Sequence, residues 1–189
     1  MNKLRSTVDR SVLIIAWLVI CTLPVNIMAK PPLDEYVVKT AFIFNFAKYI
    51  KWPKTSFADS SSPLLICVTD PDPFGAVLDE LNQKLISDHP VEINRLTTPH
   101  AQGCHIVFSA TENIHEMSTL FSSTKGQPIL TIGDAIGFSE LGGMINFYKE
   151  DEKLRFEINA SAIKDSGLEI NARLLQVARI VTPKKGNSK

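Results

Sequence analysis

The chain has 189 residues, and its 20 Lys and Arg balance 20 Asp and Glu, so there is room for one domain with its own core and little for a second. A nucleic-acid binder would carry a basic stripe interleaved with aromatics. The basic cluster here is Lys184, Lys185 and Lys189 beside Gly186, Asn187 and Ser188, a solvated tail over 184–189, and no nucleic-acid partner is expected.

Lys3, Arg5 and Arg10 precede an apolar run from Val12 to Leu23, followed by Pro24 and a small residue at Ala29. Basic flank, short apolar core and small-residue exit are the parts of a secretory signal peptide. The run is too short for the about 20 residues of a membrane span. Residues 1–29 are therefore expected to direct export and to be cleaved after Ala29, taking Cys21 with them and leaving a periplasmic domain over 30–183. Removing three cations and Asp9 leaves a net charge of about −2, which gives no cationic surface for a polyanion.

From Asp34 to Ile50, apolar Val37, Val38, Ala41, Phe42, Phe46, Tyr49 and Ile50 recur at three- and four-residue steps, predicting a helix that Trp52-Pro53 ends. Leu64 to Val68 is an apolar run of strand length, typical of a strand covered on both faces. Asp72 and Pro73 fit the cap and first position of a second helix carrying Val77, Leu78 and Leu81. Strands are predicted at Val91–Leu96 and Cys104–Phe108, then a helix through Ile114, Met117, Leu120 and Phe121, then a strand at Pro128–Ile132. Met144–Tyr148 and Lys153–Asn159 form a hairpin in which Leu154, Phe156 and Ile158 alternate with Arg155 and Glu157, giving one wet face. Asn159 caps a helix over Ala160–Lys164, and Leu174, Leu175, Val177, Ala178 and Val181 stripe a last helix. The alternation predicts an α/β domain, a three-layer Rossmann-like sandwich with a mostly parallel sheet, a C-terminal hairpin and no dinucleotide fingerprint.

Cys67 and Cys104 remain after export, and an oxidising compartment favours a cross-link between them over two free buried thiols. Adjacent strand residues point to opposite faces, which argues against Cys104 and His105 as a metal pair. The glycines at 133, 137, 142 and 143 match no phosphate-binding motif and read as turn residues. His89, His100, His105 and His115 lie near no nucleophile elbow, so an exported hydrolase is the weakest functional class, and neither metal nor cofactor is expected. The first helix and its exit carry Phe42, Phe44, Phe46, Tyr49 and Trp52 on more than one face, so Phe44 and Trp52 are candidates for contact with a partner or a second copy, as in a homodimer. A small-molecule module would use the cleft beyond the strands' carboxyl ends, near Asp70, Phe74 and Asp134. Glu157 and Asn159, polar on an expected exposed strand face, complete the candidate surface.

In order, the chain shows Glu35-Tyr36-Val37-Val38-Lys39, Lys51-Trp52-Pro53, Asp72-Pro73-Phe74-Gly75, Gly103-Cys104-His105-Ile106-Val107-Phe108, Gly142-Gly143-Met144-Ile145 and Arg155-Phe156-Glu157-Ile158-Asn159. That combination resembles the YfiR family. The resemblance implies a non-catalytic regulator that represses an inner-membrane diguanylate cyclase through its periplasmic sensor domain, with an outer-membrane-associated lipoprotein relieving the repression. It also implies that Cys67 and Cys104 form a family disulfide. A second cysteine pair found in the best-known member is absent between Met144 and Asn159.

Overall fold

The computed structural model describes residues 33–183. The expected signal segment, its cleavage site and the 184–189 tail lie outside the described residues.

Helix α1 spans Leu33–Tyr49. Of the stripe expected to be buried, Phe46 and Ile50 are buried and Phe42 partly so, whereas Val37, Val38, Ala41 and Tyr49 are exposed; the buried face runs instead through Ile43, Phe46 and Ala47, all fully buried and one three- and four-residue step apart. Phe46 stacks on Phe147 at 5.6 Å and meets Phe156 edge-on at 4.8 Å, and Phe42 lies 5.6 Å from Phe156. The aromatic mass of this helix thus divides: Phe42 and Phe46 turn to the core, and Phe44 is half-buried beneath the Lys48 ammonium, 4.0 Å from its ring centroid. The outward face is aliphatic in its first half, with Val37 45% and Val38 43% exposed beside Ala41, and carries Asn45, Lys48 and Tyr49 in its second.

The strands are β1 Ile50–Lys51, β2 Leu64–Thr69, β3 Leu85–Ile86, β4 His89–Leu96, β5 Ile106–Ser109, β6 Leu130–Gly133, β7 Ile145–Glu150, β8 Lys153–Ile158, β9 Glu169–Ile170 and β10 Arg179–Ile180. Three further helices are α2 Ile114–Thr124, α3 Ala160–Asp165 and α4 Ala172–Gln176. Asn113, Asn159 and Asn171 cap them, each side chain accepting a backbone N–H of the first turn, which satisfies donors the helix cannot. An eight-stranded sheet has the order β10-β8-β7-β6-β5-β2-β4-β3. Its pairs are parallel except β7 with β8 and β3 with β4. Ile66, Val68, Ile106, Phe108, Leu130 and Ile132 join the α1 cluster. Cys67 and Val107, at the alternate positions, join Met117 and Leu120 of α2 in a second cluster. Opposite parity places the two clusters on opposite faces of the central strands, which is why β2, β5 and β6 read as continuous apolar runs.

Three local expectations are corrected. The segment after Asp72-Pro73 is a 3-10 helix over Gly75–Leu81 rather than an α-helix beginning at Pro73. The Asp72 Oδ1 accepts the Phe74 and Gly75 N–H groups at 2.8 and 3.3 Å, and Gly75 at φ +53° leaves the right-handed helical region. The last apolar stripe is not one helix: α4 ends at Gln176, and Arg179 and Ile180 pair parallel with Glu157 and Ile158 of β8. Gly133 and Gly143, expected as turn residues, are instead required by close approach. A Cβ at Gly133 would lie 2.5 Å from the fully buried Phe138 ring, and one at Gly143 would overlap that ring.

Cys67 on β2 and Cys104 just before β5 form a disulfide with a Cα separation of 6.0 Å. The loop it closes spans 37 residues of sequence separation, which the chain-entropy account values at about 4 kcal/mol. Replacing both cysteines by Ala is expected to lower unfolding free energy by about that amount in urea denaturation. The double variant should also lose the wild type's sensitivity to added reductant.

Candidate functional site

The sheet presents a different site at each end. At the amino ends of the strands, where Leu64 opens β2 and His89 opens β4, a groove of about 720 Å³ is bounded by Trp52, Phe57, Ile86 and Ile170 with Lys48, Lys51 and Lys54 around it. Phe57 is sandwiched between two imidazoles, 3.7 Å from His89 and 4.4 Å from His105, with rings nearly parallel. The His105 Nδ1 accepts the Leu65 N–H at 3.0 Å, which places the proton on Nε2, the donor to the Ser56 carbonyl at 3.0 Å. Burial pushes the His105 pKa below its ordinary 6.5, with the Ser56 carbonyl opposing. Trp52, 9% exposed, has an indole Nε1 with no hydrogen-bond partner among the described residues. A buried indole N–H without an acceptor is a cost to the fold.

At the carboxyl ends, the chain leaving β6 meets the N-terminal turns of α1. Lys39 is 2% exposed, and its ammonium is held by Asp134 at 2.7 Å and by Glu35, one helical turn earlier, at 2.8 Å. The Tyr36 hydroxyl donates to Asp134 at 3.2 Å, and the Lys39 Nζ sits 4.3 Å from the Tyr36 ring centroid. Lys149 from β7 reaches Glu35 at 2.6 Å. Burial alone would lower the Lys39 pKa, but hydrogen bonds to Asp134 and Glu35 outweigh it and hold the amine above its ordinary value. Burial disfavours the Glu35 carboxylate, and the Lys149 and Lys39 ammoniums reverse that effect and hold it below 4.5.

A second network lies beside the first. Glu157 is 4% exposed and Asn159 fully buried, which corrects the expectation of a wet strand face. The segment 134–143 covers that face: Ser139 donates its hydroxyl to Glu157 Oε1, and its carbonyl accepts the Asn159 amide at 2.9 Å. Arg179 of β10 donates Nε to Glu157 Oε2 at 3.0 Å and stacks 3.8 Å from the Tyr148 ring centroid. Burial again raises the Glu157 pKa, and hydrogen bonds from Ser139, Arg179 and Asn146 outweigh it, leaving the carboxyl below 4.5.

The residues singled out from sequence therefore fall in several places. Trp52 lines the amino-end groove, and Phe44 flanks it on α1. Phe74 is buried against Tyr36 and Phe108, at 5.1 and 4.7 Å, so Tyr36 links Phe74 to Asp134. Asp70 is exposed, its backbone N–H donating to the Leu96 carbonyl at 3.1 Å. Sequence reasoning missed Lys39, Glu35, Arg179 and the Phe57–His stack. A cation within the apolar period of α1 was the available signal for Lys39. Among the described residues no group of three or more His, Cys, Asp or Glu is placed to hold a metal ion, and no helix is long and apolar enough to cross a membrane.

The chain is a disulfide-linked, mostly parallel α/β domain with an open groove at one end of the sheet and interlocked charges at the other. A family model described as YfiR/HmsC-like matches residues 36–179, and the chain belongs to that family. The family is one of periplasmic regulators of cyclic-di-GMP signalling, and its members regulate rather than catalyse.

Replacing Lys39 by Met leaves Glu35 and Asp134 facing each other without the ammonium and is expected to cost about 3–5 kcal/mol, read from urea denaturation at pH 7. Acid should weaken the fold in two stages. His105, with a folded pKa below 6.5, makes stability fall as pH drops below that value. Glu35 and Glu157, depressed below 4.5, contribute fully above 4.5 and lose their contribution as pH falls through their folded values. Urea midpoints between pH 7.5 and 3 should show both declines, the first flattened in His105→Gln and the second reduced in Glu157→Gln.

Proposed function

We propose that this protein is exported, is processed after Ala29 and represses an inner-membrane diguanylate cyclase by binding its periplasmic sensor domain. An outer-membrane-associated lipoprotein would compete for it and relieve the repression. The family match over residues 36–179 carries this proposal. The exposed aliphatic face of α1, with Val37 and Val38 beside a buried salt-bridge network, supplies apolar contact area on a rigid support. Repression needs only a difference in affinity for two states of the cyclase, and tenfold control corresponds to about 1.4 kcal/mol. The purified mature protein and the periplasmic domain of the cyclase encoded nearest to it should associate saturably by calorimetry. A Val37→Glu/Val38→Glu variant should bind at least tenfold more weakly. No association of the wild-type pair would end the proposal.

The amino-end groove of about 720 Å³, walled by Trp52 and Phe57 with three lysines around it, favours a second function alongside the first, small-molecule binding that tunes docking. A ligand present at 100 times its Kd adds about 2.7 kcal/mol of stability. In a thermal-shift screen of metabolites, a hit should raise the wild-type Tm and raise that of Trp52→Ala, which removes part of the groove wall, markedly less.

A further inference from the structure

The chain between β1 and β2 crosses the amino ends of the sheet as a strap. Within 53–62 no residue is fully buried, and the 3-10 turn Lys54–Ser56 and the bonds of Asp59 with Ser61 and Ser62 close on the strap itself. Among the described residues, the hydrogen bonds that leave the strap end on histidines. The Ser56 carbonyl accepts the His105 Nε2–H at 3.0 Å, and the Ser62 carbonyl accepts the His89 Nδ1–H at 2.7 Å. Phe57, the strap's aromatic side chain, lies between the same two imidazoles. Two buried polar atoms at this closure, Ser56 Oγ and Trp52 Nε1, have no partner among the described residues, a cost that exposure to water removes. Little apolar burial, few outward bonds and unpaired polar atoms together make a segment that opens more easily than the sheet beneath it.

The two histidines answer a proton differently. His89 donates through Nδ1, so its Nε2 takes a second proton with the Ser62 bond intact. His105 is 8% exposed, and its Nδ1 lone pair already accepts the Leu65 N–H at 3.0 Å. A proton on that nitrogen would set two donors against each other, so the ring holds both Leu65 and Ser56 only while neutral. Nothing that faces it offsets the charge. β2 presents the Leu65 amide, β6 the Leu130 N–H on the His105 carbonyl, and Trp52 lies 6.3 Å away. Across Phe57 the titratable neighbour is His89 of β4, whose own charge would oppose a second. On the strap, Lys54 is exposed and Asp59 is turned onto Ser61 and Ser62. We propose that protonation of His105 unlatches the strap and opens the amino-end groove, whose wall includes Phe57, Ala58, Asp59 and Ser60. Opening takes up one proton, so it is favoured by up to about tenfold per pH unit from the ordinary 6.5 down to the folded value, which burial places lower. The latch is a property of the fold and stands whether or not the groove takes a ligand or the cyclase is the partner.

The test is amide hydrogen exchange and acrylamide quenching between pH 7.5 and 5 on the mature protein, in which Trp52 is the one tryptophan. After correction for intrinsic exchange, protection of the Leu65 amide should fall at least tenfold as pH drops, while amides of β5 and β6 keep theirs. Quenching of Trp52 should rise at least twofold with far-UV circular dichroism unchanged. His105→Gln, which offers an acceptor and a donor but takes up no proton, should stay closed throughout, and His89→Asn, which keeps a donor near the Nδ1 position, should still open. A Leu65 amide that stays protected while the His105 imidazole ¹⁵N signals titrate would overturn the proposal. So would opening that persists in His105→Gln or vanishes in His89→Asn, or exposure of Trp52 only together with loss of the far-UV signal. The wild-type measurements decide the matter if His105→Gln does not fold.

Discussion

A fully desolvated ammonium is among the least tolerable groups in a protein interior, and Lys39 is one, placed on the helix that closes the core. Its position is acceptable because three side chains answer it together: Glu35 from the preceding turn, Asp134 from the chain leaving β6, and the Tyr36 ring against its side. Lys149 then neutralises Glu35 from β7. The helix cannot slide or rotate on the sheet without stranding a charge, so the aromatic packing of Phe46 on Phe147 and Phe156 is fixed in register by electrostatics as well as by shape. Apolar packing would tolerate several alignments of α1; the ammonium selects one.

That division of labour separates the two ends of the sheet. The carboxyl ends hold interlocked charges whose protonation is set by neighbouring cations and hydroxyls. The amino ends hold an aromatic groove beside which two imidazoles clasp Phe57 and, among the described residues, the buried Trp52 N–H has no acceptor. If α1 is the docking helix proposed above, the charged end would keep it rigid while the groove end responds to a bound molecule. Coupling between them would pass along α1, whose first turns belong to the charged network and whose last residues, Lys48 and Tyr49, line the groove.

Much of the framework was legible from residue order because its signals are strong and local. The span of α1, the apolar runs of β2, β5 and β6, and the Asn159 cap all appear where the pattern placed them, within a few residues, but the buried face of α1 is rotated from the expected stripe, which leaves Val37, Val38, Ala41 and Tyr49 exposed. The pieces that were not legible are those that depend on distant partners. The two-residue strands β1, β3, β9 and β10 are too short to carry any period. The final apolar stripe breaks after Gln176, and Arg179 beyond it is bound by Glu157, 22 residues earlier in the chain. Glu157 itself obeys strand alternation, and only the covering segment with Ser139 turns that outward position into an interior one. Trp52 and Asp134 were singled out because their residue types are suggestive. Lys39 was passed over because a lysine in a helix is ordinarily solvent-facing.

The Phe138 ring, wedged where Gly133 and Gly143 lack side chains, works like a rivet through the middle of the 134–143 segment. It holds the adjoining Ser139 over β8, so this stretch behaves as two short arches with a common pier and not as one pliable span. Lengthening either arch near Ile136 or Leu141 would reshape the mouth of the cavity that both line with Asp134 and Glu157, while leaving its floor in place. A single methyl at either glycine would dislodge the pier and both arches together.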